Sequence, residues 1–325
     1  MKAVRIHRLG GPEVLVAEDM PKPDPGVGEL LVSLEAVGVN FVDTQQRQGF
    51  PEWYQVPLPF TPGFEAAGRV VAIGDGVEGF AVGDRVAYQG AFGAYAEFAA
   101  VPAEIAVPLP AEIEAETAAA GLLQGMTAHY LTHDSYRIQP GDWVLVHAGA
   151  GGTGGLTVQM AKALGAIVVT TVSTPEKAAV AQENGADHVI DYGQQDFEAE
   201  ARALDGFAGL AAVYDSIGQA TFEQGLRLLR PRGTMVMYGA ASGPVEPFDL
   251  NRLNPMGSLF VTRPNVKDYV ATRAELTARA GAVFDMIQSG DLTVRVGARF
   301  PLEEAAAAHR AIETRATTGK VLLLP

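Results

Sequence analysis

Two hydrophobic rhythms divide the chain. Up to about residue 110, short apolar segments alternate with turn signals, as in KAVRIHRLGGPEVLVAED, ELLVSLEAVGVN, GRVVAIGDGVEGFAVGDRVAY and AYAEFAAVP. Gly10-Gly11-Pro12 and Gly74-Asp75-Gly76 punctuate them, as glycine and proline do where a chain reverses. This pattern predicts a compact β-rich domain, a partly open barrel. Residues 112–136 turn helical, with Ala118, Leu122, Leu123, Met126 and Tyr130 on a common face. From Trp143 onward, strand-like runs alternate with helical or turn segments: WVLVH, AIVVTTV, HVIDY, LAAVYDS, GTMVMYG and SLFVT. That order predicts a doubly wound parallel sheet. Beyond Arg263 come a helix in TRAELTARAGAVFDMIQSG, a second in PLEEAAAAHRAIETR and a closing strand in KVLLLP. This tail can belong to the sheet domain or return to the first one.

The turn after WVLVH reads HAGAGGTGG. Gly149, Gly151 and Gly154 fit G-x-G-x-x-G between a strand and a helix that suits an end at Gly165. In that setting the first glycine allows a tight turn and the second lets a pyrophosphate approach the backbone. The third lets helix and strand pack closely, and the helix N-terminus offers N–H groups to an anion. A ligand-free glycine turn is the plainer alternative. Where such sheets bind NAD, a carboxylate about 20 residues further on takes the ribose 2′-hydroxyl. Here the second strand runs instead into Ser173-Thr174-Pro175-Glu176-Lys177. A hydroxyl and a cation suit a 2′-phosphate, which a carboxylate would repel, so NADPH is the expected cofactor. The bland alternative is a Ser173 N-cap with Pro175 in the first turn and a solvated lysine. Tyr192 follows the third strand, Ser216 the fourth, and Tyr238, Gly239 and Ala241 the fifth. Strand C-termini are where such sheets hold ligands.

At 325 residues, two domains are expected. The chain is 48% hydrophobic and 19% charged, as in soluble globular proteins. No apolar run approaches the ~20 residues of a membrane span, and MKAVRIHRLGGPEV lacks a signal peptide's apolar core. A net charge of -14 argues against nucleic acid as a partner. With no cysteine, disulfides, thiol catalysis and cysteine-ligated zinc are ruled out, which is compatible with a cytoplasmic location.

A series of motifs in order then carries a resemblance: GGPEVL (10–15), VGVNFVDTQQRQG (37–49), PGFEAAGRV (62–70), GDRVAY (83–88), QGMTAHYL (124–131), HAGAGGTGG, VYDSIG (213–218), SLFVTRP (258–264) and RATTGKVLL (315–323). Over nearly its whole length the chain resembles the medium-chain dehydrogenase/reductases, in particular the zinc-free NADPH:quinone oxidoreductase, or zeta-crystallin-like, family. The resemblance implies an α/β fold with a GroES-like catalytic domain, residues 1–124 completed by 264–325, and an inserted Rossmann domain, residues 125–263. It implies NADPH in a cleft and a homodimer. It places Asn40 and Thr127 beside the nicotinamide, and Gly152 and Thr153 at the pyrophosphate. Ser173, Lys177 and Tyr192 fall at the 2′-phosphate, and Ser216, Tyr238, Gly239 and Ala241 along the cofactor. Arg263, Gly319 and Lys320 are weaker assignments; the alternatives are a domain bridge for Arg263 and a surface charge for Lys320.

Zinc-dependent relatives carry a cysteine where this chain has Asn40 and a histidine where it has Phe64, so of that ligand set only Glu65 remains. One carboxylate cannot hold a catalytic zinc, and Glu65 is expected to be structural. Gln45 stands where several relatives have a tyrosine. Without a Lewis acid to polarise a simple ketone, the expected acceptor is a quinone, which is already electrophilic. Asn40, Asp43 and Tyr54 are the candidate polar neighbours of its carbonyl, and Phe50, Trp53 and Tyr54 candidate stacking rings. An enal or enoyl-thioester reductase, and an NADPH-binding protein with a structural or sensing role, are the rival readings.

Overall fold

The computed structural model describes residues 1–50 and 56–325. At the N-terminus β1 (Lys2–Ile6) and β2 (Leu15–Asp19) pair antiparallel. The long strand β3 (Glu29–Val39) pairs antiparallel with β4 (Glu65–Ile73) and with β6 (Phe98–Pro102). β4 pairs with β5 (Arg85–Gln89), and β5 with β7 (Ala106–Pro108). Between β3 and β4 sits the short helix α1 (Phe41–Gln48), which stops at Gly49 in a left-handed conformation, φ 72°. Val4, Ile6, Leu30, Val32, Val86, Tyr88, Tyr95 and Val101 form the core over which these strands close.

After α2 (Ala115–Tyr130) comes a six-stranded sheet in which every pairing is parallel. Its strands are β8 (Trp143–His147), β9 (Ile167–Val172), β10 (His188–Asp191), β11 (Leu210–Asp215), β12 (Leu229–Met237) and β13 (Phe260–Thr262). They lie in the order β10-β9-β8-β11-β12-β13. The helices between them are α3 (Gly152–Ala163), α4 (Pro175–Glu183), α5 (Phe197–Ala203) and α6 (Phe222–Leu228). The unbroken apolar run of β8 reflects helices on both faces. Val144 and Val146 pack in one cluster with Val158 and Ala161 of α3. Leu145, between them, packs in another with Phe197 of α5 and Leu226 of α6.

Beyond this sheet the chain forms α7 (Arg273–Ser289), β14 (Val296–Pro301), α8 (Ala305–Glu313) and β15 (Lys320–Leu324). β15 pairs parallel with β14 and antiparallel with β3. The tail left open by the sequence thus returns to the first sheet, and Leu323 enters its core. The chain separates into two compact units: residues 1–123 with 270–289 and 294–325, and residues 124–269 with 290–293. Among the described residues no helix is long and apolar enough to cross a membrane.

Candidate active site

The strand order reverses direction between β8 and β11, the point at which open parallel sheets hold ligands beyond their C-terminal ends. The glycine turn sits there, and its glycines have different reasons. A Cβ on Gly149 would meet Thr170 Oγ1 at 2.1 Å, and one on Gly154 would meet the Ala148 carbonyl at 2.2 Å. Both glycines are required by packing inside the unit. The tight turn assigned to Gly149 is made instead by Ala148, which takes the left-handed conformation at φ 58°. Gly151 has an ordinary φ of -82°, and a Cβ there would meet only the Ala148 carbonyl, at 3.2 Å. Packing alone therefore makes the weakest demand for glycine at Gly151, the position where the motif lets a ligand approach. Gly152 opens α3 under Gln124, whose side-chain oxygen would lie 2.0 Å from an added Cβ. The N-cap of α3, Gly151, has no side chain to bond the first turn, and that turn, with Thr153, carries no acidic residue. The first-turn N–H groups and the helix dipole therefore suit an anion, and the turn fits a pyrophosphate.

At the end of β9, Lys177 Nζ donates to Ser173 Oγ at 3.2 Å. The α4 cap is Thr174, not Ser173: its hydroxyl accepts the Lys177 N–H. The Ser173 hydroxyl and the Lys177 ammonium thus stand together, the chemistry a 2′-phosphate takes. Tyr192 follows β10, its N–H donating to the Val172 carbonyl. The ends of β11 and β12 are tied together: Tyr238 N donates to Asp215 O at 2.9 Å and Ala241 N to Ser216 O at 3.1 Å. Gly239 is obligatory there, since a Cβ would lie 2.4 Å from the Ser216 carbonyl. Arg263 donates to the Met237 carbonyl at 2.9 Å, and Thr127 is half-buried on α2.

In the other unit, a buried charge cluster surrounds Asn40. Lys320 Nζ donates to Asn40 Oδ1 at 2.7 Å and to Glu65 Oε2 at 2.6 Å. Asn40 Nδ2 donates to the same Glu65 oxygen at 3.1 Å and to Gly38 O at 3.2 Å. The other Glu65 oxygen accepts the Leu123 N–H at 2.6 Å. Lys320 is 1% exposed and Glu65 0%, so the surface-charge alternative for Lys320 is excluded. The cluster needs Gly38, where a Cβ would meet Glu65 Oε2 at 2.5 Å and Lys320 Cε at 2.8 Å. Gly319, left-handed at φ 68°, turns the chain into β15. Glu65 is structural, as the sequence suggests, but as the partner of a buried cation.

Asp43 stands behind Asn40. Its Oδ2 accepts the Asn40 N–H at 2.9 Å and the Tyr95 hydroxyl at 3.1 Å, while Oδ1 is buried with no partner among the described residues. Burial pushes the Asp43 carboxyl up to about 7, against the pull of the Asn40 N–H, the Lys320 ammonium and the Tyr95 hydroxyl. Tyr95 also meets His309 Nε2 at 2.9 Å, and Arg47 Nη1 approaches His309 Nδ1 at 3.4 Å. Burial and the Arg47 charge bring His309 down to about 3, so its ring is neutral. Arginine can only donate, which leaves the ring proton on Nε2, facing the Tyr95 oxygen. Arg47 in turn pairs with Glu313. Sequence reasoning missed Tyr95, His309, Arg47 and Glu313. Tyr54 and Trp53 lie outside the described residues, and Phe50 is exposed.

Comparison with known proteins bears on both units. Residues 26–111 match the alcohol dehydrogenase GroES-like domain family, and residues 152–276 the zinc-binding dehydrogenase family. The chain is 43% identical to Quinone oxidoreductase 1 of Escherichia coli, over 99% of each chain. It is also 43% identical to a 2-haloacrylate reductase of a Burkholderia species, over 99% of this chain and 98% of that one. The crystal structure of Escherichia coli quinone oxidoreductase complexed with NADPH superposes with a TM-score of 0.96, at 42% identity and full coverage of both chains. A parallel sheet with a phosphate-ready glycine turn, a GroES-like sheet and similarity along the full length agree: the chain belongs to the medium-chain dehydrogenase/reductase family, on its quinone oxidoreductase branch.

Proposed function

We propose that this protein reduces quinones with NADPH by direct hydride transfer, without a metal. The observation that carries the reading is the paired chemistry of the second unit: a glycine turn fit for a pyrophosphate, and Ser173 with Lys177 fit for a 2′-phosphate. The quinone oxidoreductases of similar sequence, and the NADPH complex of similar fold, support it. When bound, the cofactor supplies the hydride. Gly151, Gly152 and Thr153 would hold its pyrophosphate, and Ser173, Lys177 and Tyr192 its 2′-phosphate end. Thr127, Ser216, Tyr238, Gly239, Ala241 and Arg263 would line the remainder. We assign the cofactor to residues 125–263, and the acceptor to 1–124 with 264–325, beside Asn40.

A zinc ion does not suit this donor set. Asn40 offers an amide, Phe64 a phenyl ring, and Glu65 is taken up by Lys320, Asn40 and Leu123 N–H. An ammonium already supplies the local positive charge. A quinone needs no carbonyl activation, so holding the reactants in register supplies most of the rate. The family likeness to a 2-haloacrylate reductase favours one second reading, saturation of a conjugated C=C bond. Anaerobic NADPH oxidation with quinones, enals and haloacrylates, with and without chelator, separates them. Quinone turnover unaffected by chelator is expected; turnover of haloacrylates alone would transfer the protein to the second reading.

Lys177→Ala is expected to raise the NADPH dissociation constant roughly 10-fold, as loss of one charge-assisted contact of ~1.5 kcal/mol implies. NADH binding should hardly move. Equal weakening of both cofactors, measured by fluorescence titration, would rule out this role for Lys177. A homodimer and a cytoplasmic setting complete the proposal. Support for the dimer comes from β13, the edge of the parallel sheet, where Phe260 is 59% and Val261 37% exposed. An apolar edge of this kind invites pairing with a second copy.

A further inference from the structure

We propose that Phe64 and Phe92 form the platform on which the flat ring of the acceptor rests, and that this pair favours fused-ring quinones over small non-aromatic acceptors. The inference rests on the quinone reading above and names the residues that would set its acceptor preference. The two rings meet edge to face, with centroids 5.3 Å apart and planes at 64°. Phe92 is 45% exposed, so its ring keeps surface open to a partner. Its neighbour Ala91 packs against the core of the unit, so the loop is anchored while its largest apolar side chain stays in water.

The loop is shaped to present that ring. Gly90 and Gly93 flank it in left-handed conformations, φ 106° and 100°. Among the described residues neither glycine is there for close packing: an added Cβ would meet nothing within 4 Å at Gly93, and only Ile105 Cδ1 at 4.0 Å at Gly90. Their role is backbone conformation, which L-residues resist in this region. Gly90 N–H donates to the Phe64 carbonyl at 3.0 Å, which ties the two halves of the platform together. Gly63, at φ 95°, packs against Tyr95, whose Cδ1 would lie 2.3 Å from an added Cβ. The platform is therefore joined through its backbone to the packed core of the unit. It also begins next to the polar cluster, because Phe64 immediately precedes Glu65, whose carboxylate holds Asn40.

A half-exposed aromatic pair gains most from a planar conjugated partner, through offset or edge-on ring contact as well as burial. A fused-ring quinone offers such a face; a three-carbon haloacrylate does not. The test uses Phe92→Ala, Phe92→Leu and Phe92→Tyr in the full-length protein. Naphthoquinone binding to the NADP⁺-loaded protein is measured by calorimetry, and turnover with NADPH in parallel. Loss of the ring contact in Phe92→Ala should weaken naphthoquinone binding roughly five- to tenfold, as an aromatic contact of ~1–1.4 kcal/mol implies. Phe92→Leu should weaken it similarly, since apolar volume without a ring is not enough, and Phe92→Tyr should restore it. NADPH affinity should hold within about twofold, which separates a lost platform from general unfolding. The proposal is overturned if wild type does not bind naphthoquinone, if Phe92→Ala binds it as tightly, or if Phe92→Leu matches wild type. Ring-dependent binding without turnover would leave the platform standing and defeat the quinone-reductase reading instead.

Discussion

Lys320→Met is expected to destabilise the first unit by about 3–5 kcal/mol, the cost of leaving one partner of a buried ion pair without its counter-charge. Glu65 would then be fully buried with no cation beside it, and Asn40 Oδ1 would lose its donor. Methionine keeps the length and apolar stem of the lysine, so the loss reports on charge rather than on a cavity. Adding Glu65→Gln should recover most of the stability. The neutral amide oxygen still accepts from Leu123 or Asn40, and no unpaired charge remains. Urea unfolding gives the free energies, and amide exchange in β3 and β15 locates the loss in this unit. A single variant as stable as wild type would show that the pair is dispensable. A double variant no better than the single would show that the penalty is lost packing.

Asp43→Asn should abolish a pH dependence of stability that wild type shows on the acid side of neutrality. The carboxyl stands near 3.8 in the unfolded chain and near 7 in the folded one, where burial opposes its charge. Folded protein therefore binds more protons than unfolded protein throughout that window. The sign follows: this group's contribution is whole below about 3.8 and is lost as pH rises toward 7. The slope at mid-window approaches 1.4 kcal/mol per pH unit. Asparagine nearly matches aspartic acid in shape, and its oxygen can still accept from the Asn40 N–H and the Tyr95 hydroxyl. The variant should gain on wild type as pH increases, measured by urea midpoints between pH 4 and about 8 across the window in which such a group titrates. Parallel pH profiles for the two proteins would show that Asp43 stays ionised in the fold.

The two halves of the molecule were unequally legible. The second could be read because its physics is local. Strands β8 to β11 are each followed by their own helix, β8 and β9 as nearly continuous apolar runs, and the turn carries its glycines within one stretch of sequence. Even there, the separate causes for Gly149, Gly151 and Gly154 emerged only with Thr170 and Ala148 in place. In the first unit the β-rich character was visible, but the interior of the site was not. Lys320 lies 280 positions from Asn40 and 255 from Glu65; Tyr95 lies 214 from His309. No periodicity spans such separations. In PLEEAAAAHRAIETR, His309 looks like any residue of an amphipathic helix, and only the packing of α8 turns it toward Tyr95. Phe92, a lone phenylalanine between glycines, gives no signal in sequence; its significance lies in the contact with Phe64.

The placement of β15 governs the order in which the molecule can be made. A nascent chain leaves the ribosome from its N-terminus, and domains usually fold as they emerge. Here the second unit, residues 124–269 with 290–293, is complete before β15 exists, whereas the sheet begun by β3 must wait for it. During that wait β3 lacks a neighbour along Val37–Val39, and Glu65 lacks the ammonium that makes its burial tolerable. The earlier-synthesised half is thus the later to mature, and the middle of the chain folds ahead of its beginning. For an interval on the growing polypeptide the β-rich segment presents the edge of β3 that β15 will later cover.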